Sequence, residues 1–160
     1  MTTRQFVKIE KGLGPQGRIA VVRFERGDSV NALSQQAMRE LRDVPRDFED
    51  DLETSVVVLT GSAKVFCAGF DLKDPEGRAR DKLSLGERRH QQRLGPKMCR
   101  AWQEMDQVTI AAIEGHCIGG GAALAVALDF RTCGRSAYFR IPEIELGMNM
   151  SWARSRACWR

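Results

Sequence analysis

The chain has 160 residues, of which 42% are hydrophobic and 29% charged, and its formal net charge is +4. That length fits one domain with an adequate core, and that composition argues for a soluble globular protein and against disorder. The basic surplus is scattered rather than striped, with no recognisable module and no interleaved aromatics, so nucleic acid is not an expected partner.

Phe6 to Glu10 and Ile19 to Phe24 read as two strands of a hairpin, joined by the turn residues Gly12, Gly14, Pro15 and Gly17. After Asn31-Ala-Leu33, Ser34 is a good N-cap for a helix carrying Ala37, Met38 and Leu41 at helical spacing, which Pro45 interrupts or kinks. Val56 to Thr60 is β-branched and continuous, the pattern of a strand buried on both faces. Asp74 to Gly86 is polar and reads as a mobile loop, and Glu87 to Met105 as one long helix. That helix carries the cluster Arg88, Arg89, Arg93, Lys97 and Arg100, a solvated face or a set of phosphate contacts. Thr109 to Ile113 is a second buried strand, a glycine triplet opens the next helix through Leu128, and short strands follow near Phe130 to Cys133 and Ala137 to Phe139. Strands alternating with helices imply an α/β architecture, with no fixed-period repeat.

Five cysteines (Cys67, Cys99, Cys117, Cys133, Cys158) form an odd set without CxxC pairing, which argues against a disulfide framework or zinc site. The polar N-terminus carries no signal-peptide core, and the apolar run around Ile118 to Leu128 is too short and glycine-rich to span a membrane. A cytoplasmic protein is expected.

The residues that carry chemistry lie in two segments, Gly61-Ser-Ala-Lys-Val-Phe-Cys-Ala-Gly-Phe-Asp-Leu72 and Ile113-Glu-Gly-His-Cys-Ile-Gly-Gly-Gly-Ala-Ala-Leu124. Each reads as a strand, a small-residue turn and a helix, and two such turns can aim two backbone N–H groups at one point, as an oxyanion hole requires. The triplet Gly119-Gly120-Gly121 alone is also compatible with close helix–sheet packing or with phosphate at a helix N-terminus, but fits neither the dinucleotide fingerprint nor the P-loop. Asp71 is expected to cap the following helix, His116 to be a packed, hydrogen-bonded side chain, Asp129 to tie down a turn, and Cys67, with no basic partner, to be no nucleophile.

Together the two segments resemble the signature of the crotonase superfamily, the enoyl-CoA hydratases and isomerases. The resemblance runs from about Phe6 to Trp152. It implies a crotonase-like (ClpP/crotonase) α/β fold, a spiral of ββα units, in a core domain over residues 1–152. It also implies an acyl-CoA substrate, no metal or redox cofactor, and a full-length form that is a homotrimer or hexamer. The backbone N–H groups of Phe70 and Gly120 would hold the thioester oxygen as it becomes an enolate. Ala32, Leu33, Ala68 and Leu72 would border the substrate. Glu143, in Arg140-Ile-Pro-Glu-Ile-Glu-Leu-Gly147, stands where the family keeps one catalytic glutamate, whereas Glu145 should point elsewhere.

One departure sets the expected reaction. Hydratases of the family carry a first glutamate three residues beyond the oxyanion glycine, and that position is Ala123 here. A single carboxylate suffices to move a proton from the α-carbon to the γ-carbon of a β,γ-unsaturated acyl-CoA, so isomerisation is favoured over hydration. The alternatives are a hydratase in which Ala123 is compensated elsewhere, and a non-catalytic remnant that binds acyl-CoA or a partner. The diene-shifting branch usually has acids at the positions of Ala123 and near Ser151, which this chain lacks.

Residues 153–160, Ala-Arg-Ser-Arg-Ala-Cys-Trp-Arg, fit no helix or strand pattern. One set of codons for them, preceded by a single added G, reads Gly-Ala-Val-Pro-Arg-Leu-Leu, which resembles the family's continuation. Two expectations stand side by side, a frameshifted tail or a naturally short chain with a private tail, in either case on a fold incomplete at its C-terminal end, with apolar faces exposed on the last strands.

Overall fold

The computed structural model of the chain describes residues 4–149 and 152. Ser151 and the tail at 153–160, with Cys158, lie outside the described residues. Strands β1 (Val7–Leu13) and β2 (Ile19–Phe24) form the expected antiparallel hairpin, with Val7 opposite Phe24. The remaining pairings are parallel. Strands β3 (Val56–Thr60), β5 (Val108–Ile113) and β7 (Phe130–Cys133) extend the hairpin into a five-stranded sheet of order β1-β2-β3-β5-β7. Three short strands, β4 (Val65–Cys67), β6 (His116–Ile118) and β8 (Tyr138–Arg140), make a second sheet of order β4-β6-β8.

The two sheets arise from one repeated move. After each of β3, β5 and β7 the chain leaves the first sheet, contributes a short strand to the second and then enters helical structure, which after the first two units carries it back to the first sheet. Parallel neighbours need such crossovers. The result is the spiral of ββα units expected above, including a repeat that the sequence hides because the units differ in length. The first helical layer is α2 (Pro75–Arg78), α3 (Leu85–Gln92) and α4 (Leu94–Gln103), the second is α5 (Gly120–Ala127), and the third is α6 (Pro142–Glu145).

Along β2, β3 and β5 the inward positions Ala20, Val22, Val57, Leu59, Ala111 and Ile113 alternate with half-exposed neighbours, so these strands bury one face deeply rather than both equally. Helix α1 (Gln35–Asp43) begins where expected, Ser34 Oγ accepting from Ala37 N at 3.1 Å, and it ends before Pro45. Helix α4 packs against both α1 and α5, and Trp102 donates its Nε1–H to Leu41 O at 2.9 Å. Helix α5 is apolar and buried nearly all round, as a helix inside a core must be. Asp129 ties its end to β5, its Oδ2 accepting from Thr109 N at 2.9 Å and Thr109 Oγ1 at 2.8 Å.

Two further expectations change. The stretch 74–86 is not a plain loop, since it holds α2 and a 3-10 turn over Ala79–Lys82. The long helix is two helices. Ser84 and Glu87 form a reciprocal capping box that starts α3, and α4 begins at Leu94 with Pro96 in its first turn, where a missing N–H costs nothing. The basic cluster is therefore divided between α3 and α4. Toward residue 148, Phe130, Tyr138, Phe139, Ile144, Leu146 and Met148 are exposed, the apolar faces anticipated for the last strands. No described helix is long and apolar enough to cross a membrane.

One buried polar residue links the two sheets. Asn31, at φ 48°, donates from Nδ2 to Phe24 O (2.9 Å) and Phe66 O (3.0 Å), and its Oδ1 accepts from Arg26 N (3.1 Å). Asn31→Ala leaves three backbone groups unpaired, so urea unfolding should register a loss of about 3 kcal/mol. A loss below about 0.5 kcal/mol, the range of an ordinary surface change, would contradict this account of the residue.

Candidate active site

The two small-residue turns meet. Leu33 and Phe70 form an isolated parallel bridge, in which Leu33 N donates to Gly69 O at 2.7 Å and Asp71 N donates to Leu33 O at 3.0 Å. In extended backbone successive N–H groups alternate sides, so the N–H of Phe70 faces away from Leu33, and Phe70 itself lines a cleft. Gly120 opens α5, so its N–H has no partner within the helix. Among the described residues neither N–H donates to another backbone group outside the helices and strands. Gly69, at φ 86°, sits where a Cβ would be only 2.8 Å from Ile118 O and 3.4 Å from Gly120 N. Glycine is required there, and the Phe70 and Gly120 amides are thereby brought to the same wall.

Glu143 arrives from the third ββα unit. Gly119 N donates to Arg140 O at 2.9 Å, which ties the glycine loop to the end of β8, and α6 follows at once with Pro142 in its first turn. Gly119 has φ 51° and ψ −114°, and a Cβ there would lie 2.9 Å from Glu143 Oε1. The other carboxylate oxygen, Oε2, is buried and has no hydrogen-bond partner. A buried, unpaired carboxylate oxygen is unfavourable unless a ligand or proton engages it. Glu145 behaves as anticipated, paired with Arg140 on the surface.

These groups line one cleft of about 630 Å³. Ala68 and Leu72 line it as expected, Leu72 at an exposed rim. Ala123 also lines it and is 1% exposed, so the residue in the position of the hydratases' first glutamate faces the reaction space without a carboxylate. Among the described lining residues Glu143 is the one acidic or basic side chain.

Ala32 and Leu33 do not line the cleft. Both are buried behind it, where Leu33 holds Gly69 and Asp71, and Ala32 O accepts from Arg26 Nη1 at 2.9 Å. Their part is to brace the turn. Asp71 is also reassigned. Asp74 caps α2, while Asp71 pairs with Arg26 (Oδ2 to Nη1 2.6 Å) and accepts from Lys73 N (2.8 Å). Burial pushes the Asp71 carboxyl upward, but the Arg26 hydrogen bond and the backbone N–H of Lys73 outweigh it and hold it below the usual carboxylate range. Asp71 therefore stays charged as a strut.

His116 is exposed rather than packed, its ring meeting Tyr138 edge-on at 5.6 Å, because β6 turns that side chain outward. Cys67 is fully buried with a thiol pushed up to about 12 by desolvation, and a Cβ on Gly121 would stand 2.7 Å from its Cβ. It is a packing residue.

The sequence reading missed three contributors. Gln35 and Met38 of α1 line the cleft, and the Trp152 ring lies across Gly95 and Gly120, with Phe70 edge-on at 6.4 Å. Met38 was legible as apolar helix spacing, but its aim was not. Nothing local in the sequence marks Trp152 as a wall.

The spiral of ββα units defines the ClpP/crotonase class of fold. The profile of the enoyl-CoA hydratase/isomerase family matches residues 14–157, and the chain belongs to that family. It is 34% identical over 137 residues to a crotonyl-CoA hydratase of Syntrophomonas wolfei, covering 85% of this chain and 51% of the relative. It is 33% identical, with the same coverage, to a short-chain-enoyl-CoA hydratase of Clostridium acetobutylicum. The crystal structure of an enoyl-CoA hydratase from Bacillus anthracis superposes with a TM-score of 0.81 at 27% identity, over 96% of this chain and 57% of that one. The chain thus spans about half the length of the curated relatives it matches.

The thiols offer a check on this placement. Cys67, Cys99 and Cys117 are buried with thiols pushed up to about 12 by desolvation, whereas Cys133 is exposed. Mass-resolved alkylation of the native protein at pH 8 should modify Cys133 and spare those three until denaturant is added. Native labelling of Cys67 would contradict the packing described for the turn.

Proposed function

We propose that this protein is an acyl-CoA enzyme that shifts a β,γ double bond into the α,β position through an oxyanion-stabilised dienolate. The observation that carries the reading is a cleft whose wall presents the Phe70 and Gly120 amides and whose described lining holds one ionisable side chain, Glu143. Family membership supports a CoA thioester as substrate.

In this mechanism the thioester oxygen accepts hydrogen bonds from Phe70 N and Gly120 N. Glu143 takes the proton from the α-carbon, and the freed electron pair delocalises over the dienolate, with negative charge on that oxygen. The two N–H groups favour this charge most when it is fully developed, and removing one such donor typically costs ~3 kcal/mol of barrier. The protonated Glu143 then returns the same proton to the γ-carbon, which leaves the double bond conjugated with the thioester. Atoms and charge balance without a second acid, a metal or a redox partner. The buried, unpartnered Oε2 suits the proton carrier, because nothing else competes for it.

Hydration is the competing reading, since the relatives quoted above carry hydratase names. It requires a group to hold and activate water. Ala123 cannot do so, and no other carboxylate stands in the described lining.

Matched β,γ- and α,β-enoyl-CoA substrates separate the two. The proposal expects conversion of the first into the second, with little hydration of the α,β compound. Glu143→Gln should lower the isomerisation kcat at least ~100-fold, while Glu145→Gln stays close to wild type. Efficient hydration without isomerisation, or an unaffected Glu143→Gln variant, would overturn it.

A further inference from the structure

We propose that Gln35 forms a polar subsite within the acyl pocket, and that the acyl group taken there carries a hydroxyl rather than being a plain hydrocarbon chain. This rests on the acyl-CoA reading above. Gln35 is the first residue of α1, is only 4% exposed, and lines the same cleft as Phe70, Gly120 and Glu143. Its backbone is committed, since Gln35 N donates to Asp74 Oδ2 at 2.7 Å. Its side-chain amide is not: among the described residues no hydrogen bond holds it, although Gln36, its exposed neighbour, bonds to Glu40. Among the described residues the one buried side-chain atom without access and without a partner is Glu143 Oε2, so the Gln35 amide keeps some access, and Gln35 lines the cleft.

A buried amide without a protein partner is unfavourable unless water or a ligand satisfies it. The surroundings narrow which ligand group does so. Met38, one turn along α1, is apolar and 1% exposed, and of the amide side chains that line the cleft (Gln35, Gln91, Gln92 and Asn149) Gln35 is the buried one, with the apolar Ala68 and Leu72 in the same lining. A primary amide offers both a donor and an acceptor, which a hydroxyl matches with both of its functions. A carboxylate suits the site poorly, because the described lining holds no cation and Glu143 would repel it. Gln35 also stands on the Phe70 side, next to the loop that Asp74 anchors, whereas Glu143 stands against Gly119. A group bound at Gln35 is therefore held by α1, two residues beyond the Leu33 that bridges Phe70. Recognition there selects the acyl group and leaves the acid–base step to Glu143.

Binding of saturated thioesters tests this apart from turnover, with the 3-hydroxy isomer left out of the set because a hydratase could dehydrate it. Isothermal titration would compare hexanoyl-CoA with a set of hydroxyhexanoyl-CoA isomers, using wild type and Gln35→Met, which keeps the volume and removes the amide. The expected result is that the best hydroxylated isomer binds wild type at least about tenfold tighter than hexanoyl-CoA, the scale of one buried hydrogen bond. In Gln35→Met that preference should fall to about twofold or less, through weaker binding of the hydroxylated isomer. Equal binding of all thioesters by wild type, or a preference that survives in the variant, overturns the subsite and leaves the acyl-CoA reading intact. Loss of hexanoyl-CoA binding in the variant overturns it too, because Gln35 would then be a structural support. No binding of any thioester to wild type overturns both the subsite and the acyl-CoA reading.

Discussion

The pairing of Leu33 with Phe70 is the contact on which the rest of the site depends. It is a single bridge between a segment following β2 and a turn following β4, and it joins parts of the chain that the sheets alone would leave apart. Arg26 clamps it from behind, bonding both Ala32 O and Asp71 on either side of the bridge. Asn31 fixes the same corner to Phe24 and Phe66. With one side of the Phe70 turn consumed by Leu33, its remaining N–H has a single direction to face. The donor is oriented before any ligand arrives, which is what makes such a group effective in stabilising developing charge.

The spiral supplies the other two parts by repetition. Each ββα unit ends a short second-sheet strand near the same corner, so successive units deliver the Phe70 turn, the Gly120 helix start and α6 with Glu143 to one cleft. Gly69 and Gly119 set how closely they approach, since a Cβ at either would strike Ile118 O or Glu143. Function then depends on side chains at few positions. In the proposed reaction Ala123 leaves no carboxylate to activate water, Glu143 carries the proton, and Gln35 selects the acyl group.

Much of this was legible. The β-branched run 56–60, the glycine triplet before an apolar helix and the Ser34 cap each follow a local rule, and the structure places β3, α5 and α1 accordingly. The meeting of the two turns and the different fates of Glu143 and Glu145 were likewise anticipated, although from family resemblance rather than from spacing. What failed to show was geometry beyond the nearest neighbours. Strands β4 and β6 are three residues each, too short for a period. The split between α3 and α4 was written in Ser84-Leu-Gly-Glu87, a capping box hidden inside a charged stretch. Ala32 and Leu33 look like ligand contacts in one dimension and Asp71 like a helix cap, yet all three are braces, because whether a residue faces the cleft or backs it is decided by the bridge. Gln35 and Trp152 reach the cleft through tertiary packing that no local signal announces.

The most direct test is a crystal structure of the protein with a saturated acyl-CoA bound. The account predicts the thioester oxygen within about 3 Å of both Phe70 N and Gly120 N, with Glu143 facing the α-carbon. A thioester oxygen bound away from those two amides, or held by one of them alone, would contradict it.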